Sequence, residues 1–355
     1  TGTCRQRWTA DLLADGGLEA VLPLGDLQYD LATLSEFQSS YDLSWGQFNS
    51  ISHPVPGDHE YDSGSPSGYF DYFNGPGVFS GPAGDRDKGY YSYDVGAWHL
   101  IALNSNCEYV ACVEGSPQND WLEADLAANP SACTLAYFHA PRFTSGYHRN
   151  NPISAPLWED LYAAGADVIL SASDHAYERF ARQDPNANPD PQAGIRQFIV
   201  GTGGNSHPPP DRAPAANSGI RNAKTFGVLA LTLHPTSYSW RFVPESIGSF
   251  TDTGSDTCTG PTIDTEPPSA PRALDAKALT RRRISLSWER SIDNDGVASY
   301  RVRRDGVDIA TLRGGNSFID KGLQAGTSYT YRVIARDAVG NDSAPSEPAA
   351  ATATP

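Results

Sequence analysis

Uninterrupted apolar runs separated by polar loops recur through residues 1–250. Four of these runs end in small or polar residues and therefore predict buried strands: WHLIALNSN, CTLAYFHAP, ADVILSASD and RQFIVGTGG. An earlier run, LEAVLPLGD, predicts a further buried strand. Helical periodicity predicts three helices, in CRQRWTADLLADGG, PQNDWLEADLAAN and SAPLWEDLYAAG. In the first of them Trp8, Leu12 and Leu13 share one face. Strands that alternate with helices predict an α/β layered fold whose chemistry lies in the loops after the strands.

The pattern changes in the last hundred residues. Residues 251–266 are rich in Thr, Gly, Asp and Pro and lack apolar periodicity, which predicts a linker. Residues 267–355 alternate apolar and polar positions, as in RRISLSWERS with Ile284, Leu286 and Trp288 on one face, and this period of two predicts a β-sandwich. The tryptophan in an early strand and the segment LQAGTSYTYRV resemble a fibronectin type III domain, which implies a spacer or adhesion module without chemistry of its own.

Composition narrows the range of partners. The formal net charge is −16 and the sequence pI is about 4.8, which argues against nucleic acid and against anionic membranes as ligands. No apolar run approaches the roughly 18 residues of a membrane span. Lysine is scarce while glycine, proline and tyrosine are plentiful, and the chain opens on no signal peptide, so we expect the mature form of a secreted protein.

The five cysteines lack the spacing of a structural zinc site. The segment NCEYVAC can close a small disulfide loop between Cys107 and Cys112. Because the number of cysteines is odd, one has no partner within the chain. It is either a free buried thiol or the partner of a cysteine in a segment that the sequence does not contain.

Candidate metal ligands follow four of the predicted strands or loops. They are Asp26 and Tyr29 in LGDLQYD, Asp58 in VPGDHEY, His139 in AYFHAPRF and His175 in SASDHAYERF. In the same segments His59 is a candidate catalytic residue, and the supporting residues are Glu60, Asp174, Tyr177, Glu178 and Arg179. Aspartate oxygens, histidine nitrogens and the occasional tyrosine oxygen are suitable ligands for two metal ions that together bind a phosphoryl group. Asp26, at a strand end between the other loops, fits the position of a bridging ligand.

In this order the motifs resemble the calcineurin-like metallophosphoesterases, and most closely the secreted bacterial type of the purple acid phosphatase branch. The resemblance spans residues 1 to about 250 and implies a layered β-sandwich flanked by helices. It implies that Asp26 bridges two metals, that Tyr29 and His175 belong to the first site, and that Asp58 and His139 belong to the second. His59 matches the histidine that assists the leaving group or holds phosphate.

The sequence departs from that family at the site itself. Ser173 stands where the second site has another histidine, Ala140 replaces a phosphate-contacting histidine, and Asp58 replaces an asparagine. The aspartate that ends the family's first strand has no counterpart, and in relatives a cysteine after that aspartate plausibly pairs with the one at Cys4. Each metal site therefore keeps three protein ligands. We expect one or two iron, zinc or manganese ions in an active protein, or no metal at all.

Two functions are compatible with these features. One is a secreted phosphoesterase that hydrolyses phosphate monoesters by metal-bound hydroxide at a degraded site. The other is a catalytically inactive pseudoenzyme retained as a binding, structural or assembly protein. The first strand, which the family places within a sheet, is expected from a cleaved N-terminal segment or a strand-donating chain.

Overall fold

The computed structural model describes residues 4–14, 16–148, 150–207, 213–260, 266–294, 296–337 and 340–354. The chain divides into two compact units, Thr1–Thr262 and Ile263–Pro355. None of the helices in these described ranges is long and apolar enough to cross a membrane.

The helices all lie in the first unit and are short. Their bounds are α1 Gln6–Asp11, α2 Leu34–Glu36, α3 Ser67–Phe73, α4 Pro117–Ala128 and α5 Ala155–Ala163, with 3₁₀ helices at Trp45–Ile51, His59–Tyr61 and Pro152–Ser154 and a π-helical turn at Phe37–Tyr41. Helix α4 begins where the Ser116 side chain accepts a hydrogen bond from the N–H of Asn119, with Pro117 in the first turn. Both predicted internal helices are therefore confirmed. The predicted first helix is shorter than expected, and Trp8 on it is about half exposed.

The strands of the first unit form a large mixed sheet and two smaller sheets. Their bounds are β1 Ser80–Gly81, β2 Gly84–Asp85, β3 Tyr91–Val95, β4 Trp98–Ala102, β5 Cys133–Tyr137, β6 Val168–Ser171, β7 Tyr177–Phe180, β8 Arg196–Val200, β9 Ser218–Asn222, β10 Gly227–His234, β11 Ser237–Pro244 and β12 Thr253–Thr257. The seven-stranded sheet has the order β3-β4-β5-β6-β8-β7-β9, with β4, β5, β6 and β8 parallel. The four predicted buried strands are these four parallel strands.

Each face of the seven-stranded sheet carries a separate hydrophobic core. On one face, Ile101, Ala136 and Ile169 pack against helix residues such as Leu122 and Trp158. On the other face, a second cluster joins the sheet to the three-stranded sheet β10-β11-β12: Leu100, Leu135, Val168 and Phe198 with Tyr238, Trp240 and Phe242. The unit is therefore a layered α/β/β structure, and the fold class predicted from the alternation of strands and helices is confirmed.

The segment LEAVLPLGD is not a strand, and that prediction is wrong. Only Val21 forms a bridge, parallel to Ser52, and the N–H of Val55 donates to the carbonyl of Pro23 at 3.0 Å. Prolines at positions 23, 54 and 56 have no N–H to donate, so the two segments run side by side without a continuous ladder. The expectation that another strand lies beside this segment remains a prediction.

The predicted linker begins too early. Residues Thr253–Thr257 form the edge strand β12, which pairs with β11. Gly254 lies against Trp240, where a side chain of any size would collide with the indole ring. An edge strand paired through its backbone needs few apolar residues, so a Thr-Gly-Ser-Asp sequence gives no periodic signal. The part of the linker at residues 261–265 lies outside the described residues.

The regular elements of the second unit, among its described residues, are all strands. Their bounds are β13 Arg272–Thr280, β14 Arg283–Glu289, β15 Val297–Arg304, β16 Val307–Leu312, β17 Ser317–Lys321, β18 Ser328–Asp337 and β19 Ala349–Thr352. They form two sheets, β13-β14-β17 and β16-β15-β18-β19, around a core that includes the predicted Ile284, Leu286 and Trp288. The Tyr329 hydroxyl accepts a hydrogen bond from the N–H of Gln324 at 3.1 Å and so fixes the corner before β18.

We expect a pH-dependent contribution to stability from His99 in β4, whose side chain is buried. Its Nδ1 and Nε2 lie 2.8 Å from Asp94 and from Asp125, respectively. Burial lowers the pKa of His99, but hydrogen bonds to Asp125 and Asp94 outweigh burial and raise this pKa above its usual value. A raised folded-state pKa stabilises the fold fully below the unfolded pKa of about 6.5, and this contribution is lost as the pH rises through the folded-state pKa.

The corresponding variant is His99→Gln. Wild type should exceed it in unfolding free energy by about 2 kcal/mol at pH 6, the scale of hydrogen bonds to charged groups. Urea denaturation between pH 6 and 9 should show this difference shrinking as the pH rises. A difference that grew with pH would contradict the assignment. His53→Gln is the control, because burial lowers the pKa of His53 and its contribution has the opposite sign.

Candidate metal centre

The loop that carries Asp26 is held in an unusual backbone conformation by a buried carboxylate. Gly25 and Asp26 have φ angles of +87° and +54°. Glu60 accepts hydrogen bonds from the N–H groups of Asp26, Leu27 and Gly57 at 2.8, 2.9 and 2.7 Å. A Cβ atom on Gly25 would come within 2.6 Å of both the Gly57 nitrogen and His139 Nδ1, so only glycine fits there. Glu60 thus positions Asp26. Burial, with the charge of Asp26, raises the Glu60 pKa to about 7.

His139, which follows β5, points one ring nitrogen at two carboxylates. Its Nδ1 lies 2.8 Å from the carbonyl oxygen of Leu24, to which it donates. Its Nε2 lies 3.0 Å from Asp58 Oδ1 and 3.4 Å from Asp26 Oδ2. This Nε2 is buried and makes no hydrogen bond of good geometry to any described residue. A histidine whose Nδ1–H is fixed by a backbone carbonyl presents the Nε2 lone pair to a metal.

The pKa shifts at these three groups have one electrostatic cause. Burial lowers the pKa of His139, but the charges of Asp26 and Asp58 outweigh burial and raise it well above its usual value. The hydrogen bond and charge of His139 in turn lower the pKa of Asp58. A cation at the point where the three side chains meet, whether a proton or a metal ion, neutralises both carboxylates.

The point where the side chains of His139, Asp26 and Asp58 meet is open to solvent at Asp58. The side chains of His139 and Asp26 are 3% and 8% exposed, whereas that of Asp58 is 60% exposed. His59 lies at the same opening. Its N–H donates to Asp26 Oδ1 at 3.0 Å, and its Nε2 is 4.0 Å from Asp26 Oδ2. Asp26, Asp58 and His59 each place one ligand atom within 4.8 Å of the others.

Tyr29 contacts Asp26, and His175 is held by a backbone carbonyl. The Tyr29 hydroxyl donates to Asp26 Oδ2 at 3.3 Å, and its ring packs against the His59 ring with centroids 4.5 Å apart. Burial and the charge of Asp26 raise the pKa of Tyr29 far above its usual value. His175 donates from Nδ1 to the carbonyl of Ser206 at 2.8 Å, which leaves Nε2 as the atom for a ligand. The charge of Asp26 also acts on the pKa of His175.

The residues at the two replaced positions, Ser173 and Ala140, are poor metal ligands. Ser173 is buried, and its short hydroxyl is a weak ligand where an imidazole was expected. Ala140 contributes only a methyl group, and its N–H donates to the Ser105 hydroxyl at 2.9 Å. The better-supported site is therefore the one formed by Asp26, Asp58 and His139, with Tyr29 and His175 beside it.

The four supporting residues of SASDHAYERF bind elsewhere in the fold. Arg179 and the Tyr177 hydroxyl both hydrogen-bond to Asp252, each at 2.7 Å. Glu178 accepts from Ser145, and Asp174 accepts from the Thr144 hydroxyl and the His148 N–H. Asp174, Tyr177 and Glu178 line a cavity of about 360 Å³ that contains none of the candidate metal ligands. These residues anchor the loop that carries His175.

Two contributions to the site were not predicted from the sequence. The carbonyls of Leu24 and Ser206 orient the two histidines, and the position of a backbone carbonyl cannot be inferred from residue types.

The donor set fits a metal ion. Two carboxylates and one imidazole, with an opening at Asp58, correspond to a three-ligand site with a free position for substrate. The position of His139 Nε2 supports this fit, because it lies 3.0 Å from Asp58 and 3.4 Å from Asp26, and a cation at this point would be bound by all three side chains.

The first unit is similar in fold to the purple acid phosphatases, and a fibronectin-like domain follows it. The first unit has their fold: the purple acid phosphatase PPD1 from yellow lupin (Lupinus luteus) seeds aligns with a TM-score of 0.56 and 20% identity, over 71% of this chain and 49% of that one. Residues 269–352 match the model of the fibronectin type III domain family, so the second unit is a fibronectin type III domain. The resemblance inferred from the motifs is thus confirmed.

Two curated relatives each match part of the chain. Purple acid phosphatase 18 of Arabidopsis thaliana is 33% identical over 129 residues, 35% of this chain and 28% of that protein. Chitinase Chi52 of Paenibacillus xylanexedens is 42% identical over 107 residues, 30% of this chain and 18% of that protein. The chain thus spans less than a third of the length of either relative.

Proposed function

We propose that this protein is an extracellular, metal-dependent phosphoesterase that binds one catalytic ion between Asp26, Asp58 and His139 and hydrolyses phosphate monoesters. The observation that carries the proposal is the orientation of His139: its Nδ1 donates to the carbonyl of Leu24, and its Nε2 faces two carboxylates within 3.4 Å. When bound, the ion would polarise the phosphoryl oxygens and lower the pKa of a water molecule.

The protein's own residues have separable roles. Asp26, Asp58 and His139 hold the ion, and Glu60 fixes the backbone turn that aims Asp26. His59 is the candidate proton donor to the leaving group. Burial lowers the pKa of His59, but the charge of Asp26 and the hydrogen bond to the Asp30 carbonyl outweigh burial and raise it above the usual value. A histidine that keeps its proton near neutral pH is suited to protonate an alkoxide.

The disulfides support an oxidising compartment. Cys107–Cys112 and Cys133–Cys258 are both formed, and disulfides persist outside the cytosol. Cys4 is the free cysteine of the described residues, and it is exposed rather than buried. The expected pairing of Cys107 with Cys112 is therefore correct, and the alternative of a buried free thiol is wrong.

The proposal is tested by phosphatase turnover on p-nitrophenyl phosphate. Protein stripped with a chelator should lose activity and regain it with zinc, manganese or iron, and Asp26→Asn should abolish turnover at every metal concentration. Absence of turnover in a protein that also binds no metal would replace this proposal with the pseudoenzyme alternative, which the substitutions at Ser173 and Ala140 favour.

A further inference from the structure

The fibronectin type III domain is basic, although the chain as a whole is acidic. Residues 267–355 contain 11 arginines and 2 lysines against 10 aspartates and glutamates, whereas the whole chain has a formal net charge of −16. Arginine therefore supplies nearly all of the positive charge of this domain. Its planar guanidinium group binds a carboxylate through two parallel hydrogen bonds, which the ammonium group of lysine cannot form.

Four of these arginines lie on the outer face of the sheet β16-β15-β18-β19. The residues of β15 and β18 that pack in the core of the domain are Tyr300, Val302, Tyr331, Val333 and Ala335. Successive side chains of a strand point to opposite faces, so the neighbours of these residues point outward. The four outward arginines, called the arginine face below, are Arg301 and Arg303 on β15 and Arg332 and Arg336 on β18.

Two aspartates on the arginine face neutralise only part of its charge. Asp308 Oδ1 lies 2.7 Å from Arg303 Nε, and Asp308 Oδ2 lies 3.5 Å from Arg301 Nε. Asp342 likewise pairs with both Arg301 and Arg336. Each carboxylate is therefore shared between two guanidinium groups, and the face keeps an excess of positive charge.

Arg332 lies directly opposite Arg303 in the pairing of β18 with β15. Among the described residues Arg332 forms no ion pair; its guanidinium group donates to the carbonyl oxygen of Ser346 at 2.8 Å, and the residue is exposed. Like charges at directly opposed positions destabilise a sheet. An anion bound from solvent between these two side chains would relieve that repulsion.

We infer that the arginine face binds an acidic polysaccharide through its carboxylates. Small molecules are bound in concave sites, so a flat sheet face is better suited to an extended polymer. Alternate residues of a strand are about 6.6 Å apart, so Arg301 and Arg303 can contact carboxylates that repeat along a chain of uronic acid units. Duplex nucleic acid carries one charge about every 1.7 Å, and the acidic protein would repel so dense a polyanion. The inference does not depend on the metal centre.

Fluorescence anisotropy of labelled oligosaccharides, titrated with the full chain, tests this inference. The probes are an oligogalacturonate and an uncharged maltooligosaccharide of the same length. Wild type should bind only the oligogalacturonate, and more weakly as salt is added, because salt screens contacts between exposed charges. Arg303→Gln/Arg332→Gln should raise the Kd for oligogalacturonate about tenfold, since each exposed charged contact contributes a factor of about three.

A matched variant controls for net charge. Arg281→Gln/Arg282→Gln removes the same charge from the turn between β13 and β14 and should change the Kd much less. Equal losses of affinity in the two double variants would overturn the inference. The wild-type measurements need no variant: failure to bind oligogalacturonate, or equal binding of both oligosaccharides, would also overturn it. Tighter binding of a single-stranded DNA probe would make nucleic acid the partner instead.

Discussion

Replacing His139 with alanine is expected to remove the metal ion from the protein. Nε2 of His139 faces both Asp26 and Asp58, at 3.4 and 3.0 Å. Loss of groups that merely orient metal ligands lowers affinity about 10- to 100-fold, so losing the ligand itself should cost about 100-fold or more. Elemental mass spectrometry of the undenatured protein should find about one ion per chain in wild type, as a three-ligand site predicts, and almost none in His139→Ala.

Two variants make this result specific. His234→Ala removes an exposed histidine at the end of β10 and should retain the ion. His175→Ala should reduce metal content less than His139→Ala, because the proposed ligands are Asp26, Asp58 and His139 and His175 is not among them. Equal loss from His139→Ala and His175→Ala would indicate a paired site that needs both histidines. Full metal content in His139→Ala would exclude the site proposed here.

Removing the disulfide Cys133–Cys258 should cause the largest loss of stability. It joins the start of β5, in the middle of the seven-stranded sheet, to the residue after the edge strand β12, across 125 residues of sequence. Closing a loop of this length restricts the unfolded chain strongly, and the double variant Cys133→Ala/Cys258→Ala should lose about 5 kcal/mol of unfolding free energy at 25 °C.

The second disulfide supplies the matched comparison. Cys107–Cys112 closes a loop of only five residues, and the same chain-entropy argument gives a loss of about 2 kcal/mol for Cys107→Ala/Cys112→Ala. Urea unfolding of the two double variants beside wild type measures both values. Equal losses would show that loop length does not determine the contribution of these disulfides, and that local packing around each bond does.

Secondary structure was predicted correctly for the buried apolar strands. It was predicted wrongly where the pattern of backbone hydrogen bonds, rather than side-chain burial, determines whether a segment is a strand. Strands β4, β5, β6 and β8 are buried on both faces, so each is an unbroken apolar run. Strand β12 is an edge strand whose side chains alternate between exposed and partly buried positions, and its residues gave no such signal. The segment around Val21 is apolar because it covers a core, yet its prolines prevent a ladder.

The candidate site shows the same division between residue type and geometry. His139 and His175 follow the parallel strands β5 and β6, which bring their following loops to one edge of the sheet. Asp26 and Asp58 follow no strand, and their place beside His139 depends on the turn that Glu60 holds. The sequence did not indicate what Arg179 and Tyr177 contact; both form hydrogen bonds to Asp252. Neither the pairing of Cys133 with Cys258 nor the contact between Tyr109 and Tyr61 could be read from spacing.

The sequence by itself determined the two fold classes, the four buried parallel strands and the residue types of a metal site. Those properties depend on apolar periodicity and on side-chain chemistry, which are local. Only the tertiary structure decided that the Nε2 of His139 meets Asp26 and Asp58, that Glu60 holds the turn at Asp26, and that Tyr109 stacks on Tyr61. These contacts join residues between about 30 and 115 positions apart, and their geometry depends on how the sheets pack and the loops turn.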